Sequence, residues 1–132
     1  MDSRKAARAA LKTLLETITT FEGVYAELQT DFGGLSPICM LASDGSRPAE
    51  TTALAGYERE HAILIGLWWA RHATVEDDID DLSAAVWDVL EANTGPTNDW
   101  GGLTIDEQFS QQDWPIVDGV MYRLEVIRVL IW

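Results

Sequence analysis

The stretch Tyr57–Asn93, YEREHAILIGLWWARHATVEDDIDDLSAAVWDVLEAN, decides the fold, because within it a strand passes directly into a helix. Its segment Ala62–Trp69 is apolar on both alternating faces and rich in branched and aromatic residues, which is typical of an interior strand. Thr74 is a suitable N-cap, and three acidic residues follow it where the helix dipole is positive. The turn Asn93–Pro96 ends the helix, because glycine tolerates a left-handed C-cap and proline cannot continue the helix. The apolar residues of this helix share one sector: Val75, Ile79, Leu82, Val86, Val89 and Leu90.

The composition indicates one globular domain spanning residues 1–132, with 47% hydrophobic residues to build a core. A single cysteine, Cys39, excludes an internal disulfide framework and a multi-cysteine zinc site. The longest apolar run is too short to span a bilayer, and no signal peptide pattern is present. We therefore expect a soluble protein of a reducing compartment with no membrane partner.

The net charge is -13, from 22 acidic and nine basic residues. Such a surface repels phosphates at long range, which disfavours specific binding of DNA or RNA. Four of the bases lie within the first twelve residues, at Arg4, Lys5, Arg8 and Lys12. A solvated helix face is the simpler interpretation of these cations, and an anionic partner subunit is the more specific one.

The first half of the chain predicts a helix and two strands. Asp2 or Ser3 can cap a helix that continues to about Thr17, with apolar residues at three- and four-residue steps. Val24–Phe32 and Leu35–Leu41 have the pattern of short strands. The polar stretch Ala42–Gly56 is predicted to be a loop, either a mobile surface loop or a contact element that orders in an assembly. Within that loop, the candidate interface residues are Arg47 and Thr51.

The second half ends in an unusually long strand. A turn-rich link, Gly95–Gly102, precedes a predicted strand at Leu103–Phe109, and Gln111–Pro115 is expected to interrupt it. The closing segment Val117–Trp132 is apolar on both faces over about 13 residues, whereas typical strands have about five or six. Helices on one sheet face cover only one of these two sides, so a second subunit is the simplest cover for the other. The candidate interface residues of this strand are Tyr122, Val126, Val129 and Trp132.

These elements predict an α+β fold, a mixed and mostly antiparallel sheet of four to five strands with two helices packed on it. Catalytic chemistry is not indicated. Cys39, His61 and His72 match no zinc-ligand spacing, and the acidic run Glu76–Asp81 lacks the alternating donors and central glycine of a calcium loop. No serine or cysteine has an identifiable base. The sequence therefore predicts a protein that is not an enzyme, with no catalytic residues, no cofactor and no metal site.

Taken together, the layout resembles the tail terminator (tail completion) proteins of long-tailed bacteriophages. The segments that carry the resemblance are an N-terminal helix ALKTLLETIT, the unit HAILIGLWWARHATVEDDIDDLSAAVWDVLEAN and a closing strand DGVMYRLEVIRVLIW, in that order over nearly the whole chain. The resemblance implies a structural virion protein of the tail or neck, made in the host cytoplasm. It also implies a homohexameric ring that caps the tail tube, stops its polymerisation and provides the joint to the head.

The partners implied by the resemblance are further copies of the chain, the tail tube protein and a head-closure or neck protein. DNA would pass through such a ring without specific binding, and carboxylates facing the lumen would repel its phosphates. Other functions fit the same composition. They are a head-closure or other neck or minor tail protein, a stand-alone binding or regulatory domain and, as the weakest, an unrecognised hydrolase.

Overall fold

The computed structural model describes residues 3–48, 59–98 and 101–132. In chain order its elements are α1 (Arg4–Leu15), β1 (Gly23–Tyr25), β2 (Ile38–Pro48), β3 (Arg59–Ala70), α2 (Val75–Glu91), β4 (Gly95–Asn98), β5 (Gly101–Ile105), β6 (Gln111–Asp113), β7 (Ile116–Val117) and β8 (Val120–Ile131).

The strands form one mixed sheet in the order β1-β2-β3-β8-β5-β4, and β6 and β7 also pair with β8. The pair β1–β2 is parallel and the other described pairs are antiparallel. This confirms the predicted α+β class. The sheet has more strands than the four to five expected, because short strands of two to four residues extend it beside the long ones.

The strand β3 is interior, as its apolar run predicts. It pairs with β2 on one side, from Ile38↔Trp68 to Pro48↔Arg59, and with β8 on the other, from His61↔Ile131 to Ala70↔Tyr122. Side chains alternate across a strand, so odd-numbered residues of β3 and β8 point to one face and even-numbered residues to the other.

Both helices pack on the face of the odd-numbered residues. Ser3 Oγ accepts a hydrogen bond from Ala6 N at 3.0 Å, which confirms the predicted cap of α1. The helix α1 packs against β1, β2 and β3, and α2 packs against β3, β5 and β8. The core between helices and sheet contains Ala7, Leu11, Leu15, Cys39, Leu41, Ile63, Ile65, Leu67, Ile79, Leu82, Val86, Leu90, Leu103, Ile127, Val129 and Ile131.

The predicted cap of α2 is wrong in its chemistry. Thr74 occupies the N-cap position, but its side chain makes no capping hydrogen bond. Its Oγ1 donates instead to Asp78 Oδ2 at 2.9 Å, and His72 Nε2 lies 2.6 Å from the same oxygen. The Thr74 hydroxyl therefore bonds to the carboxylate of Asp78 and not to a backbone N–H of the first turn.

Two predictions in the first half of the chain are wrong. Of the expected strand Val24–Phe32, only Val24 and Tyr25 join the sheet, and the segment after them leaves the sheet edge. The expected loop Ala42–Gly56 is strand up to Pro48, because β2 continues beside β3 past a bulge between Ser43 and Ser46. Residues 49–58 lie outside the described part of the chain.

The region after α2 also differs from the prediction. The link expected at Gly95–Gly102 contains β4 and the start of β5, and the strand expected to reach Phe109 ends at Ile105. Gln111–Asp113, expected to interrupt the sheet, pairs with β8 as β6. The long strand β8 matches the prediction. Among the described helices, none is long and apolar enough to cross a membrane.

Candidate functional site: the helix-free face of the sheet

The helix-free face is the side of the sheet opposite α1 and α2, formed by the even-numbered residues of β3 and β8 and, before the bulge of β2, by Ile38, Met40 and Ala42. The described residues place no helix on it. Its apolar members are Ile38, Met40, Ala42, Ala62, Leu64, Gly66, Trp68, Tyr122, Leu124, Val126 and Leu130. The two faces of the central strands are therefore both apolar, although the helices cover only one of them.

One end of this face is covered by an aromatic cluster. The ring of Phe32 makes edge contacts with Tyr122 and Trp68, at centroid distances of 4.8 Å and 5.3 Å. Phe32 lies in the segment between β1 and β2, which crosses over the sheet here. Burial raises the pKa of the Tyr122 hydroxyl, and the carboxylates of Asp118 and Asp31 raise it further. This end is a closed part of the monomer's own core.

The middle of the helix-free face is an open apolar cleft. It has a volume of about 110 Å³, and its walls are Leu28, Met40, Ala42, Leu64, Gly66, Trp68, Gln111, Leu124 and Val126. Gly66 forms part of the floor, where an added Cβ would lie 3.0 Å from Trp68 Nε1. Leu28 stands at the rim and is 68% exposed. The exposed leucine therefore lies beside apolar walls that the monomer leaves open to solvent.

The far end of the face is charged. Arg128 bridges two carboxylates, with Nε 2.9 Å from Asp44 Oδ2 and Nη1 2.8 Å from Asp106 Oδ2. The hydrogen bond to Asp106 is the main cause that raises the pKa of Arg128 above its ordinary value. A second cleft of about 200 Å³ lies beside this bridge, between Arg128, Asp44 and Glu60. The bridge ties β8 to the bulge of β2 and to the loop after β5.

The predicted interface residues divide between the two faces. Tyr122 and Val126 lie on the helix-free face and are 6% and 8% exposed. Val129 is wrong as an interface candidate, because it is 0% exposed and packs in the core beneath the helices. Trp132 follows β8 and lies against Gly102, where an added Cβ would overlap its ring.

The two candidates from the predicted loop are not placed by the structure. The backbone of Arg47 pairs with Glu60 in the β2–β3 ladder, and its side chain lies outside the described part, as does all of Thr51.

Sequence patterns did not indicate Leu28, Met40 and Leu64 as walls of the cleft. A signal was present in β3, where small Gly66 lies between the bulky even-numbered residues Leu64 and Trp68. The sequence did not indicate Leu28 as a cleft residue, because the alternation in its segment predicts a strand.

The residues considered for metal binding do not converge. Cys39 is buried in the core, and burial raises the pKa of its thiol far above the usual range. His61 Nδ1 lies 2.7 Å from Ser46 Oγ, whereas His72 is at the start of α2. Across residues 3–48, 59–98 and 101–132, no group of three or more His, Cys, Asp or Glu side chains could hold a metal ion.

Comparison with known proteins gives a match at the level of the fold. No protein-family model matches the chain, and no curated protein matches it. The solved structure of the bacteriophage SPP1 gp17 protein is similar, with a TM-score of 0.51 and 18% sequence identity over 96% of this chain and 91% of that chain. The chain therefore shares its fold with a bacteriophage protein over nearly the full length of both.

Proposed function

We propose that this chain is a structural protein of a phage virion, a tail terminator that forms a homohexameric ring on the end of the tail tube. The phage assignment is supported by the fold shared with a bacteriophage protein and by the order of elements that resembles tail terminators. In this role the ring stops polymerisation of the tube and joins it to a head-closure or neck protein. No catalytic step is part of the proposal.

The observation that carries the assembly is the open cleft on the helix-free face. Apolar surface in water costs free energy in proportion to its area, about 25 cal/mol per Å². The monomer covers one face of β3 and β8 with two helices but leaves Leu28 exposed beside Leu64 and Val126. A second subunit covers this surface in the ring.

The charge of the chain suits passage of DNA. At a net charge of -13, carboxylates facing the lumen repel phosphates, so DNA crosses the ring without being held.

Electron microscopy and light scattering of the purified protein test the proposal. We expect six-fold rings, formed by the protein alone or on addition of tail tube protein, and tubes that stop growing when the ring is present. A protein that stays monomeric at all concentrations and leaves tube growth unchanged would contradict it.

The cleft also favours a second candidate function. A stand-alone binding domain would use the same 110 Å³ apolar cleft for a single apolar peptide side chain, because small-molecule sites usually have at least about 300 Å³. Such a domain remains monomeric. A Val126→Trp variant would block ligand binding and would leave the protein monomeric.

A further inference from the structure

The two helices that the structure describes carry opposite charges. The α1 sequence RKAARAALKTLL has four bases and no acid, and the α2 sequence VEDDIDDLSAAVWDVLE has seven acids and no base. In a chain with 22 acidic and nine basic residues, four of the nine bases therefore lie in a single helix.

These charges lie on accessible surfaces. At 100° per residue, Arg4, Lys5, Arg8 and Lys12 fall within one sector of about 100° that overlaps one edge of the buried stripe of α1. Arg4 and Lys5 are exposed, and Arg8 and Lys12 are half-buried. On α2 the side opposite the buried stripe contains the exposed residues Asp77, Asp80, Asp81, Asp88 and Glu91.

The two charged surfaces do not neutralise each other within the monomer. In the part of the chain that the structure describes, no ion pair joins α1 to α2. Lys12 pairs with Glu16 at 3.1 Å, and Arg8 donates to Ser43 Oγ. Bases in the first turns of α1 also oppose the helix dipole, and no acid lies in its first turn. An external anionic surface would neutralise these bases and would offset their unfavourable interaction with the helix dipole.

The two helices lie side by side in one layer on the sheet and contact each other. The helix α1 lies over β1, β2 and β3, and α2 lies over β3, β8 and β5, so they occupy opposite halves of one layer. A two-fold contact between identical α1 surfaces brings cations together, and one between α2 surfaces brings anions together. A head-to-tail contact brings cations to anions.

We propose that the basic surface of α1 in one copy docks on the acidic face of α2 in the next copy. This inference rests on the proposed ring and names a contact that gives the ring its head-to-tail direction. Apolar burial at the helix-free face supplies affinity, while the paired charges select the orientation, since electrostatic complementarity mainly determines specificity.

Charge reversal tests the contact. The first variant is Arg4→Glu with Lys5→Glu, which places acids in the first turn of α1, where the helix dipole favours them. The second is Asp81→Lys with Asp88→Lys, on exposed positions of α2. A control matched to the second variant, Glu27→Lys with Glu107→Lys, makes the same acid-to-base change at exposed positions outside both helices.

We expect each helix variant alone to associate at least about tenfold more weakly than the unmodified protein, as judged by light scattering at about 50 mM salt. An equimolar mixture of the two variants should recover the assembled mass, because each contact between unlike copies then joins opposite charges. The control should assemble normally, and about 0.5 M salt should weaken the unmodified assembly.

The failures are distinguishable. If the unmodified protein is assembled but both helix variants assemble equally well, the ring stands and the contact between helices is overturned. The contact is also overturned, and the ring again stands, if the mixture does not recover the assembled mass. If the unmodified protein is a monomer in low salt, alone and with tail tube protein, both the contact and the proposed ring are overturned.

Discussion

Arg123 Nε lies 2.9 Å from Glu76 Oε1, which ties the closing strand to the first turn of the acidic helix. The two partners differ in environment, since the side chain of Arg123 is 4% exposed and that of Glu76 is 55% exposed. Arg123 Nη1 also donates to the carbonyl oxygen of Leu124 at 2.6 Å, and the ring of Trp114 lies 5.6 Å from its Cζ. The arginine therefore makes buried contacts that do not depend on the ion pair, whereas the glutamate remains largely in solvent.

Arg123→Ala should lower the free energy of unfolding by about 2 to 4 kcal/mol, because it removes a buried stem and leaves the Leu124 carbonyl without this donor. Glu76→Gln should cost no more than about 1 kcal/mol, since its carboxylate is largely solvated. Urea denaturation of both variants measures the difference. Equal losses would show that the ion pair itself, and not the burial of Arg123, sets the cost.

Val126→Glu should fold and Val129→Glu should not, although both variants replace a valine with glutamate. Val129 is fully buried under the helices, so an unpaired carboxylate there should prevent folding. Val126 borders the open cleft, through which a glutamate can reach solvent, so that variant should stay folded and assemble to a lower mass. Circular dichroism reports folding and light scattering reports mass. A folded Val126→Glu variant that assembles normally would place the interface elsewhere.

Replacing Asp77, Asp80, Asp81 and Asp88 with asparagine should leave the fold intact. These side chains are exposed on the solvent side of α2, where substitutions usually change stability by no more than about 0.5 kcal/mol each. Thermal unfolding should be measured in about 0.5 M salt, which screens the proposed contact between helices. A large fall in melting temperature would indicate that this face is buried or binds a cation.

His72 should titrate above its ordinary pKa. Its hydrogen bond to Asp78 is the main cause, the Ala70 carbonyl adds to it, and the same contact with His72 lowers the pKa of Asp78. The stability from His72 is fully present below its unfolded pKa and is lost as pH rises through the raised value. The stability from Asp78 is present above its unfolded pKa and is lost as pH falls through the lowered value.

Both groups are therefore charged between about pH 4 and about pH 6.5. NMR titration of the His72 ring checks this, with Asp78→Asn as the comparison. The variant should bring the His72 pKa down towards its ordinary value. An unchanged titration would mean that the 2.6 Å contact between His72 Nε2 and Asp78 Oδ2 does not persist in solution.

How far the sequence predicts this protein depends on how local each signal is. The strand β3, the helices α1 and α2 and the length of β8 were predictable, because hydrophobic periodicity within one segment specifies each of them. The sequence also predicts that the protein is not an enzyme, because it contains no recognisable catalytic motif, and this stays a prediction. The apolar character of both sides of β8 pointed to a surface needing a second cover.

Only the tertiary structure decided which side that is. Val126 and Val129 are chemically identical, and a strand pattern does not say on which side the helices pack. The polar stretch Ala42–Pro48 is strand because β3 supplies hydrogen-bonding partners from across the hairpin, a non-local contact that outweighs weak local propensity. Leu28 and Phe32 also reach the helix-free face through non-local contacts. Their segment leaves the sheet edge after Tyr25, and burial of Phe32 against Trp68 and Tyr122 holds it across the strands.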